Sequence, residues 1–132
     1  MTGVYMTHID LAEELFKAFA NGDAATVRAL CSADLQAFQN LNPPVNLDVL
    51  LAFAVAVKQL VPDFHYANAR RTATSTGFIE EHTVSGTLPD GSKLQIAACV
   101  IADVNNGKIS NLREYVDAAA AQGLLKALTA LH

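Results

Sequence analysis

At Pro62 the hydrophobic period of this chain changes, and that switch restricts the folds open to it. Before Pro62 apolar residues recur at the three-and-four spacing of helices; after it they alternate, as in strands with one buried face. Three helices are predicted upstream. Thr7-His8-Ile9-Asp10 has capping-box spacing, with Asp in place of Glu, and Ile9, Ala12, Leu15, Phe16 and Phe19 follow along one side. Asn21-Gly22 stops this helix, and Asp23 caps a short second one carrying Val27, Leu30 and Cys31. Residues 35–38 read as a short strand and 39–44 as a loop. Asn46 then caps a third helix with Leu47, Leu50, Leu51, Ala54, Val57 and Val61 on its apolar side.

Downstream, four extended runs cover residues 64–73, 78–88, 93–104 and 108–116. They are separated by Ser75-Thr76-Gly77, Pro89-Asp90-Gly91 and Asn105-Asn106-Gly107. Asp-Gly and Asn-Gly between alternating runs are strong hairpin signals. Residues 118–131 close the chain as a short helix with Leu124, Leu125, Leu128 and Leu131. Helices first and an antiparallel meander second predict an α+β fold with the helices on one face of the sheet.

With 132 residues the chain is expected to form one domain, spanning 1–132. Hydrophobic residues make up 52% and charged ones 17%, which excludes intrinsic disorder. Nine Lys and Arg against thirteen Asp and Glu leave no basic footprint, so no nucleic-acid partner is expected. No apolar run approaches a membrane span, and residues 1–7 lack the basic and apolar regions of an export signal. A soluble, cytoplasmic protein without a membrane partner is the expectation. Cys31 and Cys99 are too few for a disulfide framework. His8, His65 and His132 have no partner at metal-ligand spacing, and no phosphate-loop, dinucleotide or nucleophile-elbow motif occurs. Neither a metal nor a cofactor is expected.

The turns fix a register, and the register suggests a site. With two-residue turns at Asn106-Gly107 and Asp90-Gly91, Val104 faces Ile109, Ile101 faces Leu112, Cys99 faces Glu114 and His82 faces Cys99. His82, Cys99 and Glu114 then form one row across three strands, with His82 and Glu114 roughly 10 Å apart at the backbone. Phe78, Glu80, Val84, Gly86, Ala97, Ile101, Leu112 and Val116 share that inner face. A carboxylate on an apolar face loses hydration and becomes an acid or base competent near neutrality. Histidine titrates in that range unaided. Glu114 and His82 are therefore the candidate catalytic pair. Asn40, Glu80, Cys99, Ile101, Leu112 and Val116 are candidate substrate contacts, although Asn40 also suits a plain turn and Cys99 a plain core position. The opposite face, with Ile96, Ala98, Val100, Ile109, Arg113 and Tyr115, is too apolar for water, so a homodimer through it is expected.

The chain also resembles a family. Ala20-Asn21-Gly22-Asp23 with Val27, Leu30 and Asp34 is similar to the N-terminal helix pair of the nuclear-transport-factor-2-like superfamily. Gly107-Lys108-Ile109 leading to Arg113-Glu114-Tyr115-Val116-Asp117 resembles its last strand, and the run from Glu81 to Gly91 looks like SnoaL-like proteins. The resemblance implies a cone: three helices packed in the concave face of a curved, mostly antiparallel sheet, with a short C-terminal helix. By this resemblance, ketosteroid isomerases of the superfamily use a tyrosine and two aspartates at the positions matched here by Leu15, Gln39 and Cys99, so that arrangement is absent. Of the Tyr-x-Asn element of its epoxide hydrolases, Phe38-Gln39-Asn40 keeps only the asparagine, and the Arg-x-Asp pair is missing near Glu80-Glu81-His82-Thr83. SnoaL-type polyketide cyclases place a carboxylate acid/base in the last strand, where Glu114 stands.

Two function classes follow. One is a cofactor-independent isomerase, cyclase, dehydratase or hydrolase acting on a small apolar, oxygenated cyclic substrate. The other is a non-catalytic small-ligand-binding or association domain of the same fold.

Overall fold

The computed structural model describes residues 6–131. Residues 1–5 and His132 lie outside the described residues. Helix α1 (His8–Ala20) opens with the capping box anticipated at Thr7, whose hydroxyl accepts from the Asp10 amide while the Asp10 side chain accepts from Thr7 N–H. Asp23 caps α2 (Ala24–Leu30), and Asn46 caps α3 (Leu47–Leu60). Asp117 caps α4 (Ala118–Thr129), which ends two residues earlier than the leucine pattern suggests.

The sheet has six strands rather than a four-stranded meander: β1 (Cys31–Gln39), β2 (Val45–Asn46), β3 (His65–Ala73), β4 (Gly77–Thr87), β5 (Lys93–Asn105) and β6 (Lys108–Val116). Their spatial order is β2-β1-β6-β5-β4-β3, all antiparallel except the β1–β6 pair. This is an α+β fold with a curved, unclosed mixed sheet. Helices α1, α2 and the start of α3 pack on the inner face around Leu11, Leu15, Phe16, Val27, Leu35, Phe78 and Ile109. A second cluster joins the end of α3 to α4 through Val57, Val61, Val84, Ile96 and Leu124.

Three one-residue irregularities shape the inner face. In β3 an extra residue sits between Ala67 and Arg70, where Asn68 is left-handed (φ 56°). It brings Tyr66 and Arg71 to one face, opposite Val84 and Glu80. At the β4–β5 hairpin, Leu88 N–H donates to Ser92 and Gly91 N–H to Leu88, enclosing a three-residue loop that ends on Gly91 (φ 88°). In β6, Ser110 is extra: Val104 faces Ile109 as expected, but Asp103 faces Asn111. Extra residues of this kind bend a strand and increase its twist.

The last two irregularities overturn the expected register. His82 faces Ala98, not Cys99, and Cys99 faces Glu81 and Tyr115. A slip of one residue exchanges the faces of a strand, and β5 is slipped against both neighbours. Val100, Ala98, Ile96 and Ala102 are therefore buried inside, while Cys99 and Ile101 face outward with the exposed Ala97. The two slips compensate between β4 and β6, so Glu80, His82, Leu112 and Glu114 keep the inner face assigned to them. The expected dimer surface changes too. Ile96, Ala98, Val100 and Ile109 are core residues, leaving Arg113 and Tyr115 outside.

Candidate functional site

The corrected register creates a different cross-sheet row. Gln39, Glu114, Val100, Glu80 and Arg71 are successive partners across β1, β6, β5, β4 and β3. Four of these five residues are polar, and they divide into two units separated by Val100.

The first unit is sealed. Glu80 is fully buried. One of its carboxylate oxygens accepts from Arg71 Nε, and the other lies 2.5 Å from His82 Nδ1. Arg71 compensates the buried charge, and desolvation of Glu80 is tolerable only because both oxygens are bonded. The imidazole packs between aromatic rings, its centroid 4.3 Å from Tyr66 and 4.9 Å from Phe16. Its Nε2 is buried and has no hydrogen-bond partner among the described residues. This unit interlocks β3, β4 and α1.

The second unit opens onto a cavity of about 260 Å³ between the sheet and α1 and α3. Glu114 is half-buried and lines it, its Oε1 accepting from Gln39 Nε2 at 3.1 Å. Six aromatic rings form much of the remaining wall: Phe16, Phe19, Phe38, Phe53, Phe64 and Tyr66. Leu112, Val100, Val57 and Leu50 add aliphatic surface, while Asn42, Pro43, Val45 and Val49 approach from the β1–β2 loop and the start of α3. Tyr66 stands edge-on to Phe16 and Phe64. Burial pushes its phenol well above its usual 10, and the negative charges of Glu114 and Glu80 push it further. It is therefore a neutral hydrogen-bond donor throughout the physiological range.

The sequence-derived candidates separate on this geometry. Glu114 and Leu112 line the cavity. His82 does not: it lies behind Phe16 and Tyr66 and touches Glu80, so it shares the inner face with Glu114 without sharing the cavity. Glu80 belongs to the same sealed unit. Val116 packs with the second core cluster. Cys99 and Ile101 face outward for the register reason given above. The Cys99 thiol is pushed up by burial and by Glu81 beside it, the reverse of an activated nucleophile. Asn40 performs the turn role: it is left-handed (φ 51°), and its side-chain oxygen accepts from Val116 N–H at 3.0 Å. Its own N–H donates to the Glu114 carbonyl at 2.8 Å, so it fastens the end of β1 to β6 and positions Glu114.

Gln39, Tyr66 and the phenylalanines escaped the sequence reading. Gln39 reaches Glu114 through a parallel pairing that no turn announces. Tyr66 was legible only as one of an adjacent pair, His65-Tyr66, of which one side chain must point inward.

Residues 12–112 match the family model of the SnoaL-like domain. The chain belongs to the SnoaL-like family. Solved structures agree on the fold. A structure described as a polyketide cyclase, from Xanthomonas campestris pv. campestris, superimposes with a TM-score of 0.77 at 19% identity, covering 88% of this chain and 96% of that one. A SnoaL-like polyketide cyclase from Jannaschia sp. CCS1 gives 0.77 at 13% identity, with 98% and 96% covered. An LEH-like epoxide hydrolase of M. tuberculosis gives 0.73 at 24% identity, with 94% and 93% covered. No curated protein matches the chain. Among the described residues, no helix is long and apolar enough to cross a membrane.

Proposed function

We propose that this SnoaL-like protein is a cofactor-independent acid/base catalyst acting on a small, apolar, oxygenated cyclic molecule, by isomerisation, cyclisation, dehydration or hydrolysis. The observation that carries this reading is the placement of Glu114. It is the one carboxyl group among the residues lining an otherwise apolar cavity, and its side-chain partner is a neutral amide rather than a cation. A carboxyl group held this way exchanges a proton with a bound molecule without first leaving an ion pair. Tyr66 supplies a neutral donor on the same wall, and Gln39 orients the carboxylate. His82 and Glu80 act as positioning residues, holding the Tyr66 ring through the packed imidazole. The structures described as cyclases and as an epoxide hydrolase support a small-molecule role on this fold.

A ligand retained through purification, or soaked into crystals, identifies the molecule that the cavity takes. With that compound as substrate, Glu114→Gln is expected to lower turnover by ~10²–10⁴ while leaving affinity nearly unchanged. Wild-type turnover by the variant would eliminate the mechanism. Binding without turnover in the wild type would favour a non-catalytic ligand-binding domain, a reading that the largely apolar wall also supports.

We also propose a homodimer through the outer sheet face. Half-buried Cys99 and Ile101 with exposed Ala97 join Arg113 and Tyr115 there, in place of Ile96, Ala98, Val100 and Ile109. Light scattering on wild type and Ile101→Asp tests it: a dimer mass that the variant reduces supports the proposal, and a wild-type monomer at micromolar concentration overturns it. A cytoplasmic location remains part of the same proposal.

A further inference from the structure

The wall of the cavity has one sign. Glu114 is its carboxylate, and no Lys, Arg or His is among the described residues lining it. The arginine of the same row and the arginine next to Glu114 in sequence are committed elsewhere. Arg71, in the same cross-strand row, bonds Glu80. Arg113, the neighbour of Glu114 in sequence, points to the other face and bonds Asp103 and Asn111, each at 2.8 Å. Six aromatic rings line the same cavity, and a ring whose face meets the ligand presents the negative part of its quadrupole. The other polar side chains among the lining residues are Gln39, Asn42 and Tyr66, all uncharged.

We infer that the cavity is a receptor for lipophilic cations, and that its preferred ligand carries an ammonium-type centre seated between Glu114 and the aromatic wall. The inference rests on the reading of Glu114 as the working group of this cavity and narrows the small, oxygenated cyclic molecule proposed above to one that also bears or develops positive charge beside Glu114. A cation gains from both the carboxylate and the rings, in a setting where little water screens either. An anion of the same shape meets the same field with the opposite sign. A ligand that develops an enolate finds only neutral amides and a phenol to receive its charge, beside a carboxylate that opposes it. Positive charge, fixed or developing, is what this wall stabilises.

Three compounds with one cage and three charges test this at pH 7: 1-adamantylammonium, 1-adamantanol and 1-adamantanecarboxylate, titrated calorimetrically into the full-length chain. The ammonium ion is expected to bind about tenfold or more tightly than the alcohol, and the carboxylate about tenfold or more weakly. Glu114→Gln should collapse the ammonium–alcohol difference to about twofold while leaving the alcohol's Kd nearly unchanged. Alcohol binding with no preference for the ammonium ion, or a preference that survives in Glu114→Gln, overturns the cation inference and leaves the cavity as a ligand site. Failure of all three compounds to bind the wild type overturns the cation inference, while the turnover comparison of Glu114→Gln tests the catalytic reading separately. Repeating the ammonium titration on Phe16→Leu separates the rings from the carboxylate. A loss confined to the ammonium ion supports the aromatic contribution, and an unchanged preference removes it.

Discussion

Glu80 and Glu114 flank Val100 in one cross-strand row, two glutamates on the same face of the same sheet, yet they are held in opposite ways. Both oxygens of Glu80 are taken, by Arg71 and by His82, and no part of its side chain meets solvent. Glu114 has a neutral amide on one oxygen and opens into a cavity. The difference shows how one residue type serves two ends within two strands' width. Saturated with partners, a buried carboxylate ties strands together. Left partly free beside apolar walls, it is open to a bound molecule, which is the role proposed for Glu114. The choice is made by the neighbours on β3 and β1: an arginine turned inward on one side, a glutamine on the other.

The comparison breaks most readily at Glu80. Glu80→Gln leaves Arg71 without its counter-ion and weakens the His82 contact, so it is expected to cost roughly 3 kcal/mol of stability, at the low end for a broken buried pair because Arg71 stays partly solvated. Glu114→Gln should change stability by no more than about 0.5 kcal/mol. Urea unfolding of the two variants checks the contrast, and equal losses would abolish it.

The next effect appears only in alkali. The folded state raises the Tyr66 pKa above its unfolded value of 10, so this contribution is complete below pH 10 and is lost as pH rises through the folded value. Tyr66→Phe removes the phenol, and its stability should fall less steeply above pH 10 than that of the wild type. Parallel alkaline unfolding curves would show that the phenol is not held by the fold.

Asn40→Ala deletes the bond to Val116 and places alanine in a left-handed position, at an expected cost of about 1–2 kcal/mol. If Asn40 fastens β6 as described, this variant also impairs ligand binding at Glu114 without touching the ligand. Calorimetry on a variant confirmed as folded checks it.

The smallest effect tests the register itself. Cys99→Ser should shift stability by no more than about 0.5 kcal/mol. The Cys99 thiol should react with a maleimide at the same rate whether or not the cavity is filled. The buried Cys31, whose thiol burial pushes up to about 11, should react only on unfolding. Protection of Cys99 by a cavity ligand would return it to the inner face.

Local chemistry was legible in the sequence, and one-residue insertions were not. Thr7, Asp23 and Asn46 cap as their types require, and Asn106-Gly107 forms a two-residue turn with both residues left-handed. Each of these is decided within a few residues. Pro89-Asp90-Gly91 was misread although its signal was present: Pro and Asp suit a type I turn, and the glycine suits the left-handed bulge that makes a three-residue loop. Ser110 carries no such mark, because its insertion is set by packing on both sides of β6. Glu114 kept its face because the two slips cancel over an even number of strands, whereas Cys99 and Ile101 sit on the strand between and lost theirs. The Arg71–Glu80 bond needed the irregularity at Asn68, which an asparagine permits but does not compel.

The parallel seam between β1 and β6 has a consequence in time. Gln39 and Glu114 are separated by 75 residues, and no hairpin brings them together. Loop closure over such a span comes before any contact that rewards it, so this pairing belongs to the slow, non-local part of folding. While the chain is being synthesised, the helices and β1 emerge first, and the phenylalanines of the cavity wall wait without their opposite side. The carboxylate arrives with the last strand. The cavity gains this side of its wall only when the last strand pairs with β1, so the carboxylate proposed to work there comes into place together with the wall that shelters it.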